Sequence, residues 1–235
     1  MSLSLVRRSH DHLRIGEWRG DGRIAYLAPL PGVPLPPAES VRRTCARLAA
    51  KGYRRVITAA LDPTEAHGFL AAGFGVREHL HVLVHQLLAI PPQPAVRLRR
   101  ARRTDRPVVL TIDQRAFSAF WRLDDAGLDE AITATPTARI RVGIDDRNGD
   151  VVAYAVWGRA GRRGYLQRLA VDPRSQRRGF GSALVVDGLQ WLRRRGDVAV
   201  VNTQVENEPA LLLYERLGFR RQPGGLVVLE AELEQ

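Results

Sequence analysis

The stretch "VDPRSQRRGFGSALVVDGLQWL", Val171 to Leu192, decides how this chain is read. The residues just before it, "GYLQRLAV", form an apolar strand that stops near Asp172-Pro173. The residues after Gly181, "SALVVDGLQWLRRR", place Leu184, Gly188, Trp191 and Leu192 on one helical stripe. Between strand and helix lies "QRRGFG", Gln176 to Gly181. The first N–H groups of a helix have no partner within it and carry partial positive charge. Gly179 and Gly181 remove the side chains that would block an approaching anion, and Arg177 and Arg178 add charge. This is how a backbone cradles a pyrophosphate; the other reading is a solvated basic turn. The pattern GxxxxGK[ST] is absent, and Gly-x-Gly here lacks the third small residue of a dinucleotide loop and follows a meander.

Upstream, "DRPVVLTIDQRAFSAFW" and "DDAGLDEAITATP" read as helices, and "ARIRVGIDDRNGDVVAYAVWGRAGRRGYLQRLAV" as three antiparallel strands with turns at Asn148-Gly149 and "RAGRRG". Downstream come the end of the helix, with Gly196 as a left-handed cap, strand "VAVVNTQV", helix "EPALLLYERLGF" stopped by Gly218, and strand "GGLVVLEAEL". The order predicts an α/β fold with a mixed, mostly antiparallel sheet flanked by helices. The same helix–strand–helix–strand order runs through "CARLAAKGYRRVITAALDPTEAHGFLAAGFGVREHLHVLVHQL". Gly52 to Gly73 matches Gly196 to Gly218 to within one residue, and both repeats close on Gly-Phe and a short strand. Pro91, Pro92 and Pro94 mark a linker. The expected domains are therefore a partial repeat at 1–92, docked on a complete unit at 93–235.

The 235 residues are 45% hydrophobic, enough to bury a core. No apolar run is long enough for a membrane span or a signal peptide, and Cys45 stands alone, which fits a reducing cytoplasm. A net charge of +11 suits an anionic partner: nucleic acid, a phosphate-rich cofactor or an acidic substrate. Lys51 is the only lysine, an arginine skew that base composition alone also produces. All six histidines precede Gln93, so the second segment cannot assemble a Ser-His-Asp or Cys-His nucleophile by itself. His79, His81 and His85 share one strand parity; they form either a polar strand face or part of a metal site, and no fourth ligand accompanies them, so no metal is expected.

The second segment, from about Ala95 to Gln235, resembles the GNAT superfamily of acyl-CoA N-acyltransferases. Gln176-x-x-Gly179-x-Gly181 matches that family's Q/R-x-x-G-x-G/A loop, and Asn207, Ala210, Tyr214, Gly218 and Phe219 match its second motif. The resemblance implies acetyl-CoA as co-substrate. Its pyrophosphate would sit on Gln176, Arg177, Arg178, Gly179, Phe180, Gly181 and Ser182. Its pantetheine arm would bond the strand at Leu169, Ala170 and Val171, in a gap between two splayed strands, with Asn207 touching the arm. Tyr214 matches the proton donor to the departing thiolate; packing on the sheet is its other reading. The residue where some members carry a glutamate base is Asn202, which accepts no proton, leaving water, Glu206, Asp124, Asp125 or Glu130.

At the corresponding positions of the first repeat stand Phe69 for Tyr214 and Asp62 for Asn207, and "PLPGVPLPPAES" replaces the phosphate loop with prolines that lack amide donors. That half is expected to have lost cofactor binding. Phe117, Phe120 and Trp121 line an acceptor pocket or fill core. The expected function is N-acetylation of a primary amine on a small molecule or a protein. The alternative is a non-catalytic, arginine-rich nucleic-acid-binding or regulatory protein that retains the fold.

Overall fold

A computed structural model describes residues 7–8 and 12–233. Along the chain run β1 (Arg7–Arg8), β2 (Leu13–Trp18), β3 (Asp21–Pro29), α1 (Ala38–Ala49), β4 (Arg55–Thr58), α2 (Pro63–Leu70) and β5 (Gly75–His85). They are followed by β6 (Arg97–Arg100), α3 (Arg106–Ala116), α4 (Asp125–Thr133), β7 (Thr137–Ile144), β8 (Val151–Ala160) and β9 (Arg163–Val171). The last elements are α5 (Phe180–Arg193), β10 (Val198–Gln204), α6 (Glu208–Arg216), β11 (Arg220–Arg221) and β12 (Leu226–Glu232).

The chain divides into two compact units, residues 1–81 with 223–235, and residues 82–222. This differs from a break at 92/93. The strand β5 runs through the first division, so the proline linker lies inside the second unit. The final strand, β12, belongs to the first unit, where it pairs antiparallel with both β4 and β5. Its apolar alternation is satisfied by either sheet, and the choice rests on pairing between residues about 170 apart. In the second unit the end of β5 takes up β11, with Arg220 opposite Val84.

In the first unit, β2 and β3 form a hairpin, β3 runs parallel to β4, and β12 fills the gap to β5. Helix α1 buries Val41, Thr44 and Leu48, one stripe at helical spacing, over Leu27, Val56 and Phe69. The hairpin strand β2 has no counterpart in the sequence reading, because "LRIGEW" carries only two strongly apolar inward positions.

In the second unit the order is β10-β9-β8-β7-β6; β10 is parallel to β9 and the other pairings are antiparallel. Period-two alternation in β8 gives each face its own core. Ala153, Ala155 and Trp157 pack under α5 and α6 with Leu184, Leu189 and Leu211. Tyr154 and Val156 pack under α3 and α4 with Val109, Ile112 and Leu128. The expected helix through Trp121 stops at Ala116, and a separate 3₁₀ turn covers Ala119–Trp121. Gly196 is not left-handed; α5 ends on Arg194 in ordinary helical conformation. The histidine positions do not share one environment: His79 is exposed, His81 half-buried and His85 buried. Buried positions change parity between Leu80 and Leu83, where the strand passes from one unit to the other. Among the described residues no group of three His, Cys, Asp or Glu is placed to hold a metal ion. None of the described helices is long and apolar enough to cross a membrane.

Candidate active site

The site of interest is built where β9 and β10 part. Their parallel ladder covers only Val198–Val200 opposite Arg163–Tyr165. Beyond it β9 continues to Val171 and β10 to Gln204 with no pairing between them. The other edge of β9 is fully engaged, with Leu169, Ala170 and Val171 opposite Ala155, Tyr154 and Ala153 of β8. The register shifts at Val156/Trp157, leaving Gln167 as the extra residue on β9. One edge of Leu169–Val171 therefore faces an open gap, where an amide-bearing chain finds free backbone partners.

The loop leaving β9 is set by local bonds. The Asp172 carboxylate accepts from the Arg174 amide at 3.0 Å and from Arg115 at 2.9 Å. Gln176 donates its side-chain amide back to the Val171 carbonyl at 3.4 Å. Arg177 and Gly179 both take positive φ, 59° and 88°. For Arg177 this is an uncommon backbone state; for Gly179 it is the reason for the glycine. The turn delivers the chain into α5 with Gly179 as N-cap and no side-chain cap bond. The first intrahelical bond is the Ala183 amide to the Gly179 carbonyl, 2.9 Å. The amides of Phe180, Gly181 and Ser182 are thus the open donors of this end. Phe180 is buried under β7, while Gly181 and Ser182 are half-buried. A Cβ on Gly181 would lie 3.4 Å from Leu213 and 3.8 Å from Val171, in ordinary contact with both, so this end of α5 sits close beside α6 and the end of β9.

The two arginines of the loop do different things. Arg178 forms a two-pronged pair with Asp145, at 2.7 and 2.8 Å, tying the loop to the β7–β8 turn. That pairing holds the Asp145 carboxyl below the ordinary range. Arg177 is exposed, so free positive charge at the loop comes from it and from the amides.

Asn207 and Tyr214 stand at the two ends of α6. The Asn207 side-chain oxygen accepts from the Ala210 amide at 3.2 Å, so this residue is the helix cap. Tyr214 is buried, its ring 5.6 Å from Phe219. Burial raises its hydroxyl well above the usual phenol value. The first unit repeats this arrangement. Asp62 caps α2 through the Thr64 and Glu65 amides, Phe69 is buried seven residues later, and its ring lies 5.5 Å from Phe74. Gly73 and Gly218 both adopt the left-handed turn between the paired rings. Where the second unit has an open loop, the first has Pro36, whose carbonyl oxygen would lie 2.2 Å from a Cβ on Gly68 of α2. The proline loop is packed against the helix.

Of the acceptor-side residues, Asp124 caps α4 and Asp125 pairs with Arg106, which also holds Asp129 at 2.7 Å. Glu206 and Asn202 are exposed. A cluster invisible to spacing arguments lies beside β9. The fully buried Asp113 accepts from Arg168 at 2.7 and 2.8 Å, from the Tyr154 hydroxyl at 2.5 Å and from the Leu123 amide at 2.7 Å. Arg168 also donates to the Trp121 carbonyl at 2.5 Å and stacks 3.5 Å above the Phe117 ring. The segment from Phe117 to Leu123 is thereby clamped to the strand next to Leu169.

Residues 106–219 match the family model described as the acetyltransferase (GNAT) family. A tandem GNAT protein from the clavulanic acid biosynthesis pathway superposes with a TM-score of 0.70 at 14% identity, over 95% of this chain and 79% of that one. A GCN5-related N-acetyltransferase from Sphaerobacter thermophilus gives 0.66 at 15%, over 95% and 78%. An acetyltransferase of the GNAT family from Novosphingobium aromaticivorans gives 0.64 at 17%, over 97% and 91%. No curated protein matches the sequence.

Proposed function

We propose that the second unit, where residues 106–219 match the acetyltransferase (GNAT) family, transfers an acetyl group from acetyl-CoA directly to a primary amine. The observation that carries this reading is the conjunction of an uncapped α5 N-terminus with a splayed β9–β10 edge in one unit. Anion binding needs the first, and an amide-rich donor arm needs the second. Gln176 through Ser182 form the pyrophosphate cradle, with the amides of Phe180, Gly181 and Ser182 binding and Arg177 assisting. Arg178 acts by holding the loop through Asp145. Leu169 and Val171, whose backbone groups point away from β8, bond the pantetheine amides; Ala170, expected to join them, spends its own backbone groups on Tyr154 of β8 and lines the arm between them. Asn207 acts chiefly by fixing the start of α6, and its amide nitrogen, not used in that cap, would contact the donor arm.

Direct transfer proceeds by attack of a neutral amine on the thioester carbonyl. An N–H on the free edge of β9 stabilises the oxyanion. Collapse of the intermediate expels the thiolate, whose conjugate acid has a reference pKa of about 8.5. Tyr214 is the acid that supplies the proton; its burial favours the neutral phenol, so the phenolate left behind is reprotonated at once, through water, by the proton that the amine releases. The amine loses its own proton to water or to the exposed Glu206, since Asn202 cannot serve. The acceptor is held against the Phe117–Leu123 segment, and the first unit, with its proline loop and Phe69, has a structural role. A screen of amines against acetyl-CoA tests the assignment: transfer to a primary amine supports it. Failure to bind acetyl-CoA together with tight nucleic-acid binding would favour a non-catalytic role instead.

A further inference from the structure

His85 is buried, 3% exposed, at the end of β5 in the second unit. It is the only histidine of that unit. Nδ1 accepts from the Leu87 amide at 2.9 Å. The proton therefore sits on Nε2, on the side where the carbonyls of Ala89 and Leu217 lie. This ring braces a turn on each side. Leu87 is held at φ 60°, a backbone state that leucine rarely takes, and its buried side chain joins the core that contains Tyr214 and Phe219. On the other side, a Cβ on Gly218 would lie only 3.1 Å from Nε2, and the imidazole is 5.2 Å from the Phe219 ring. Phe219 in turn reaches Tyr214 twice: its amide donates to the Tyr214 carbonyl at 3.0 Å and its ring lies 5.6 Å from the phenol. The first unit has the same paired rings, Phe69 and Phe74, where no hydroxyl needs aiming.

We propose that His85 is a positioning residue for Tyr214, bracing the Gly218–Phe219 turn against which the phenol ring packs. The proposal rests on the transferase reading of Tyr214. Its test is His85→Leu, which keeps volume and removes both polar contacts, with His85→Asn restoring an acceptor for the Leu87 amide. The expected result is a fall in kcat of between about tenfold and a hundredfold, acetyl-CoA affinity within about twofold of wild type, and partial recovery in His85→Asn. In a Tyr214→Phe background the His85→Leu change lowers kcat no further, because the group being positioned is gone; an equal fall in that background overturns the proposal. If His85→Leu fails to fold, the same comparison is made with His85→Asn and His85→Gln. Hydrogen exchange at the Phe219 amide gives a readout independent of activity. It accelerates in the folded variant, and an unchanged amide overturns the link itself. Absence of transfer by the wild-type protein to any amine overturns the transferase reading instead.

Discussion

Replacing Arg168 by methionine removes the partner of a carboxylate that has no access to water. Asp113 is fully buried and takes four hydrogen bonds, two of them from Arg168. Tyr154 and the Leu123 amide remain after the substitution, but neither carries a charge. Breaking a buried ion pair on one side costs about 3–5 kcal/mol, because the remaining charge stays desolvated. Arg168→Met also loses the bond to the Trp121 carbonyl and the stacking on Phe117, so the upper half of that range applies. At about 2–4 °C per kcal/mol for a chain of this size, the midpoint falls by roughly 8–20 °C. Calorimetry of wild type, Arg168→Met, Asp113→Asn and the double variant measures it. Asp113→Asn in the Arg168→Met background removes the stranded charge, so the double variant is more stable than Arg168→Met alone. A drop of less than about 3 °C for Arg168→Met, or strictly additive losses, would refute the reasoning. The same variant loosens Phe117–Leu123, so it raises KM for the amine more than for acetyl-CoA.

Tyr214→Phe lowers kcat by about two orders of magnitude, the low end for loss of a general acid, while a titration shows acetyl-CoA affinity unchanged; a collapse of affinity would make Tyr214 a packing or binding residue. Asn207→Ala removes the α6 cap and lowers stability by about 1 kcal/mol, read as a shifted denaturation midpoint. Burial holds His85 below the ordinary imidazole value, and no charged side chain contributes to that shift. The unfolded chain therefore takes up this proton first as pH falls. Stability is lost as pH drops below about 6.5 toward the lower folded-state value, and His85→Leu flattens that part of the denaturation-against-pH curve.

The local elements were legible wherever a periodic run ended on a strong terminator. The strand into Val171, the glycine loop and α5 follow from neighbouring residues alone. So does the internal repeat: Asp62 with Phe69 and Asn207 with Tyr214 share one offset, and the structure gives each pair a side-chain helix cap and a buried ring contact. Partners far apart in sequence were not legible. β12 reads as a strand whichever sheet receives it, so nothing local assigns it to the first unit. Asp113 and Arg168 are 55 residues apart, and Arg178 and Asp145 are 33 apart. Neither spacing signals a pair. Arg178 accordingly read as free charge at the loop, where the fold uses it as a tether. The histidines of β5 shared parity on paper, but the strand changes units between them, which separates their surroundings.

The α5 N-terminus and the β9–β10 gap are proposed to form one acetyl-CoA site. Calorimetric titration of the full chain tests it most directly. One molecule of acetyl-CoA is expected to bind per chain, with binding lost in Gly181→Glu, which places a longer side chain and a negative charge beside Leu213 and Val171 at the open α5 amides. Binding that survives Gly181→Glu, or no binding by the wild type at millimolar acetyl-CoA, would contradict it.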